Sequence, residues 1–308
     1  LFATTALVAS AGFAAADVNL SGSAEIGIFD DGVTDTQFHS DLDIRFTLSG
    51  ESDNGLTFGA TIDLDEIGDD DPAGVVAGDP IDANPNNGDP VEELAVFVSG
   101  GFGTVTLGDV DGALAWALAD LEIAAGAIAD DQTTHAGFSE ADEFDGLNDG
   151  QILRYDYSFG HFGVAASLEL DDSGSADDVY GLGLTYGTDL GGIALGFGLG
   201  YQDGGSTYGD IVGVSVDADF GNGFEAVLNY WELSAGTATT DNDYIGVALG
   251  YTVDALSFTV NYGEFDTGAD GFGLAANYDL GGGAVVQFGY GDSSTGTDTF
   301  SLGVAMSF

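Results

Sequence analysis

The 308-residue chain contains no cysteine, and its only basic residues besides histidine are Arg45 and Arg154, against 53 aspartates and glutamates, for a formal charge of -51. Without cysteine there are no disulfides, thiol nucleophiles or sulfur-ligated metals, although the redox compartment stays open. So few basic residues exclude a nucleic-acid partner, because phosphate binding needs Lys or Arg to displace counterions. Only three histidines are present, His39, His135 and His161, and no G-x-S-x-G occurs. Nothing places a serine beside one of these bases, so no enzyme is expected. Long apolar runs are scarce too. Past the N-terminal segment no stretch reaches the roughly 18 consecutive apolar residues that cross a bilayer as a helix. The nearest, residues 113–129 (ALAWALADLEIAAGAIA), carries Asp120 and Glu122 in its middle and is expected to be a helix outside lipid. What the chain does have is 44% hydrophobic and 11% aromatic residues, so it is expected to fold, unlike a disordered acidic tail.

Residues 1–16 run from an apolar stretch, Leu1 to Phe13, into Ala14-Ala15-Ala16, after which the composition turns polar at Asp17. The pattern reads as a signal peptide truncated at its N-terminus, with a mature domain over 17–308.

From Asp17 onward apolar residues alternate with small or polar ones, the mark of strands with one face in an apolar medium. Val18, Leu20, Ala24, Ile26 and Ile28 form the first such face, Leu42 to Leu48 the second and Leu56 to Leu64 the third. Continued to Phe300–Phe308, the pattern gives sixteen strands. Tight Gly/Asn/Asp turns such as Gly160-His161, Gly221–Gly223 and Gly281–Gly283 alternate with long acidic connections such as 66–90, 110–150 and 232–243. Aromatics flank both sets: Tyr157, Phe162, Tyr186, Phe224, Tyr251 and Tyr278 the tight turns, and Tyr180, Tyr201, Tyr230, Tyr262 and Tyr290 the long loops. Two aromatic girdles around an apolar band predict an all-β, 16-stranded antiparallel transmembrane barrel. Closure follows because open edges would leave unpaired backbone groups in lipid. At this strand number the interior holds water, so the inward Asp, Ser, Thr, Asn and Gly would be a hydrated wall.

Three stretches, 47–60 (TLSGESDNGLTFGA), 97–113 (FVSGGFGTVTLGDVDGA) and 278–284 (YDLGGGA), resemble the general diffusion porins of the alphaproteobacterial outer membrane, of Rhodobacter type. The final strand, ending in Phe308, looks like the outer-membrane assembly signal. The resemblance implies a homotrimer in outer-membrane lipid, assembled by barrel-assembly machinery. It also implies short periplasmic turns, long external loops and a third loop, here 110–150, folded inward as the constriction for passive diffusion of small hydrophilic solutes and ions. Such porins set an acidic loop against a basic wall. This chain departs from that pattern, since only Arg45 and Arg154 remain, both on the inward parity, where each either tunes selectivity or pairs with acids such as Asp43 or Asp156.

The loop supplies Asp109, Asp111, Asp120, Glu122, Asp130 and Asp131, with Glu140, Asp142, Glu143, Asp145 and Asp149; the wall adds Glu25, Asp41, Asp43, Asp63, Glu169, Asp217 and Glu225. A lumen lined this way is expected to prefer cations. The same acidity would also serve as surface hydration in a saline habitat. No cofactor is required, although Ca²⁺ at Asp109, Asp111, Asp130 and Asp131, or at Asp69-Asp70-Asp71, is a second use for clustered carboxylates. A secreted acidic Ca²⁺-binding β-structural protein is the alternative, but the nine-residue repeat of a β-roll is missing. A substrate-specific channel would need inward aromatics, for which Trp116 and Trp231 are the candidates.

Overall fold

The structure, a computed structural model, describes residues 17–64, 92–129, 135–148, 150–294, 296 and 298–308. Its strands are β1 (Asp17–Asp30), β2 (Gln37–Glu51), β3 (Thr57–Leu64), β4 (Glu92–Gly100), β5 (Gly103–Gly108), β6 (Ile152–Phe159), β7 (Phe162–Glu169) and β8 (Val179–Asp189). They continue as β9 (Ala194–Asp203), β10 (Gly209–Asp219), β11 (Phe224–Ala235), β12 (Asn242–Val253), β13 (Leu256–Phe265), β14 (Asp270–Gly281), β15 (Ala284–Ser293) and β16 (Asp298–Ser307). Each pairs antiparallel with its sequence neighbours, and β1 pairs with β16, so the sheet is a closed barrel of sixteen strands. The seam is completed by reciprocal backbone bonds, Phe308 N–H to the Gly22 carbonyl (2.8 Å) and Gly22 N–H to the Phe308 carbonyl (3.4 Å).

Strand register turns the alternation of the sequence into two faces. On β10 to β13 the outward Val214, Leu228, Val247 and Val260 are exposed, while the inward Ser215, Asn229, Thr259 and Asn261 are buried. An exposed apolar exterior over a polar interior inverts the ordinary globular arrangement and requires a surrounding apolar solvent. The girdles flank this band. Near the tight turns the Phe224 and Tyr251 rings lie 4.3 Å apart and those of Phe162 and Tyr186 4.8 Å apart. Near the long loops Tyr262 donates to Glu264 (3.1 Å) and Tyr180 to Asp178 (3.3 Å), each hydroxyl reaching the aqueous rim from an apolar ring. Gly281, Gly282 and Gly283 all have positive φ, 79°, 70° and 91°, so this turn could not be made with side chains in place.

One sequence expectation is corrected. The 113–129 stretch is not a helix along its length: α1 covers only Ala113–Ala117, and Leu118 turns extended at φ −88°, ψ 145°. Ala124 and Ala129 take positive φ, 59° and 73°. A second short helical turn, α2 (Gly205–Tyr208), lies between β9 and β10. Asp69-Asp70-Asp71, Asp130, Asp131, Asp149 and the segment 1–16 that was expected to be a signal peptide lie outside the described residues.

The two faces make opposite demands. Val247→Arg, on the lipid side of β12, is expected to lower the unfolding free energy in urea by about 2–4 kcal/mol. Thr47→Lys, on the inward side of β2, should change it by less than about 0.5 kcal/mol. Equal costs at the two positions would overturn the facing.

Candidate functional site

Sixteen strands enclose more space than their side chains fill, and the connection between β5 and β6 occupies part of it. Its described residues run along the inner wall over β7 to β16 and onto β1. Most of this path has no helical hydrogen bonds, so its N–H groups take acceptors from the wall. Ala113 N–H donates to Ser167 Oγ (2.9 Å), Ala119 to Ser215 Oγ (2.8 Å), Ala125 to Thr259 Oγ1 (2.9 Å), Ala129 to Glu25 Oε2 (2.9 Å) and Ala136 to Ser293 Oγ (2.9 Å). In return Asn229 Nδ2 donates to the Ala119 carbonyl (3.1 Å) and Thr259 Oγ1 to the Ile123 carbonyl.

Glycines let the loop lie this close. A Cβ at Gly198 would meet the Ala117 carbonyl oxygen, and one at Gly263 the Gly137 carbonyl oxygen. Larger side chains fill the gaps between loop and wall. Leu114, Leu121, Phe144, Ile211 and Trp231 form a core that is at most 1% exposed. The Trp231 indole stacks on Tyr244 (5.4 Å) and donates to Ser139 Oγ (3.1 Å). Trp231 therefore serves as a fastener beneath the loop, and the expectation of an inward aromatic track for solutes loses one of its two candidates. Trp116, half-buried, packs over Gly163 and Gly183.

The loop returns across the barrel in the same fashion. His135 accepts Gly137 N–H at Nδ1 (3.1 Å) and pairs through Nε2 with Asn261 Oδ1 (3.2 Å), which defines a neutral Nε2–H ring. Burial pushes its pKa below the usual imidazole value, in agreement with that assignment. At the loop's end the Glu169 carboxylate, 2% exposed, accepts N–H groups from Gly146 (3.2 Å), Asn148 (2.9 Å) and Gly150 (3.2 Å). Glu169 and Glu25 thus anchor the loop; they were expected among the acids of the open lumen. Glu25 also meets His39 Nε2 (3.1 Å).

The inward face of β2 to β6 carries Asp41, Asp43, Arg45, Asp63, Arg154 and Asp156. Arg45 pairs with Asp63 through Nη2 (2.7 Å) and Nε (2.8 Å), where Asp43 was the sequence candidate; Asp43 instead accepts Ser23 Oγ (3.0 Å). Arg154 meets Asp156 (3.6 Å), as expected, and its Nη1 donates to the Asp111 carbonyl (2.7 Å) at the root of the loop. Asp111, Asp120 and Glu122 are exposed, as are Glu140 and Asp142, whereas Asp109 and Asp41 are half-buried. Among the described residues no three acidic or histidine side chains converge as a metal site, so Asp109 and Asp111 do not form one by themselves.

A wide barrel narrowed by an acid-edged inner loop is the geometry of a channel, and comparison with known proteins agrees. The family model described as Gram-negative porin matches residues 3–308. A porin of Rhodobacter capsulatus is 28% identical over 303 residues, covering 90% of this chain and 94% of that protein. A porin structure refined at 1.8 Å shares 26% identity at a TM-score of 0.71, over 95% of this chain and all of the other. A triple mutant of the Rhodopseudomonas blastica porin, 20% identical over 95% of this chain and 100% of that one, superposes with a TM-score of 0.69 and supports the fold alone. The chain belongs to the Gram-negative porin family, whose members are outer-membrane β-barrel channels.

Proposed function

We propose that this porin is a homotrimeric diffusion channel that prefers cations over anions, with its constriction between the 110–150 loop and the inward face of β2 to β6. The observation that carries the preference is the state of the two arginines: each faces a carboxylate, so neither contributes an uncompensated positive charge to the lumen. The exposed loop acids Asp111, Asp120 and Glu122, with Asp41 and Asp43 opposite, then set the sign of the potential. Low-dielectric walls focus that field on permeating ions.

Subunit association has its own support. All 12 tyrosines fall between Tyr155 and Tyr290, so β1 to β5 contribute none to either girdle. This arc instead presents an apolar groove lined by Leu48, Phe58, Ala60, Val96 and Val98. An outer surface without interfacial tyrosines suits a neighbouring barrel better than a lipid–water boundary. The complementary partner is a second copy of the same arc in a closed ring.

In a planar bilayer under a dilute KCl gradient, the reversal potential should report cation preference. Combining Asp111→Asn, Asp120→Asn and Glu122→Gln should bring the permeability ratio toward unity. The difference should shrink in 1 M salt, where the Debye length is about 3 Å. Anion preference in the native protein would refute the reading.

The seat of the loop is testable with one methyl group. Gly198→Ala places a Cβ against the Ala117 carbonyl and should raise single-channel conductance by displacing the loop. Gly187→Ala, where a Cβ meets nothing within 4 Å, should leave conductance unchanged.

For assembly, Ala60→Trp fills the β2–β4 groove with a side chain that lipid tolerates. It should convert trimers to folded, heat-modifiable monomers on mild-detergent gels. Trimers that persist would move the interface elsewhere on the barrel.

A further inference from the structure

The two ends of the constriction loop meet at one carboxyl group. Asp145, on the returning limb, accepts the backbone N–H of Gly112 on the outgoing limb (2.7 Å) and Nε2 of Gln202 on β9 (2.6 Å). Gly112 has no side chain to hold the limbs apart: a Cβ there would meet the Asp145 carboxyl. Gln202 is 1% exposed, and its Oε1 has no hydrogen-bond partner. An orphaned buried amide oxygen is costly, and the donor it lacks is an O–H or N–H on the group its amide already faces. A protonated carboxyl and a primary amide are complementary, each offering one donor and one acceptor. An ionised carboxyl offers acceptors only and leaves Oε1 bare.

The charged surroundings act in the same direction. Asp111 lies on the outgoing limb, Asp142 and Glu143 on the limb of Asp145 itself, and Glu169 on β7 binds the N–H of the following residue, Gly146. β9 offers Gln202, flanked in register by Gly181 on β8 and Ile211 on β10, none of them charged. Arg154 of β6 reaches only the Asp111 carbonyl at this junction. An ionised Asp145 is thus half-buried among acids, with one backbone N–H and one amide for compensation.

We propose that Asp145 is a proton-dependent clasp: a positioning residue whose neutral carboxyl holds the two ends of the constriction loop together, so that its ionisation loosens the loop and raises conductance. The proposal rests on the channel reading above. Burial pushes the Asp145 carboxyl up to about 7 from its usual 3.8, and the Gly112 and Gln202 hydrogen bonds only partly offset that. The sign follows from proton linkage. A released Asp145 loses its proton near the usual carboxylate value and a clasped one near 7. The clasp therefore weakens as pH rises from about 4 to about 7 and stays weak above that.

Single-channel conductance of the native protein should rise between about pH 4 and about pH 7 and level off above that, while Asp145→Asn should hold the low-pH conductance throughout. His161→Gln, in the turn between β6 and β7, should retain the step. Infrared spectroscopy of the folded protein provides a readout independent of current. A protonated-carboxyl C=O band should titrate near pH 7 in the native protein and vanish in Asp145→Asn. A native pH profile in Asp145→Asn or no titrating infrared band would each overturn the clasp. Absence of current at every pH, with the infrared titration intact, would refute the channel reading and leave the clasp standing.

Discussion

A backbone N–H or C=O left unpaired in hydrocarbon costs several kcal/mol, and the architecture follows from that constraint. A sheet satisfies it only by closing, as β1 and β16 do through the reciprocal bonds of Gly22 and Phe308. Closure at sixteen strands leaves an interior too wide for the inward side chains to fill, so water or additional chain must enter. The loop after β5 is that additional chain. It meets the same constraint in a different form, because its own N–H and C=O groups would lose hydrogen bonds wherever it pressed against the wall.

The wall resolves this by presenting acceptors at the places where the loop has donors. Ser167, Ser215, Thr259 and Ser293 lie on β7, β10, β13 and β15, spaced around the barrel beneath successive loop residues. Between them the wall is reduced to glycine, so that backbone approaches backbone. The glycine richness that reads in sequence as turn material is thus also a seat, and position on an inward face distinguishes the two roles. Gly198 and Gly263 lie under the loop, whereas Gly281 to Gly283 form a turn.

Period-two alternation, girdle aromatics and alternating connection lengths made the barrel legible residue by residue, because strand facing is a local property of the chain. The loop's conformation was not legible. Alanine and leucine in 113–129 suit a helix by propensity, but acceptors on strands 54 to 134 residues away drew the chain past Leu118 into an extended path. Arg45 shows the same limit on a smaller scale. Asp43 is its neighbour two positions along β2, whereas Asp63 stands directly across on β3, and direct cross-strand partners are closer. For Arg154 the cross-strand residues are Thr106 and Ser167, neither of them acidic, and the pairing fell to Asp156 on the same strand, as the sequence suggested. Register was the missing information for Arg45, and alternation alone does not supply it.

The same scarcity of cations explains how the acids divide their work. A buried carboxylate ordinarily calls for Lys or Arg, and this chain has two arginines and no lysine to offer. Those beneath the loop are compensated by backbone instead: three N–H groups on Glu169, and Ala129 N–H with His39 on Glu25. Backbone donors are held in place by the loop's path, so a carboxylate satisfied this way fixes geometry without adding a side-chain cation to the lumen. Glu169 and Glu25 hold the loop in place, and the two arginines are met by Asp63 and Asp156.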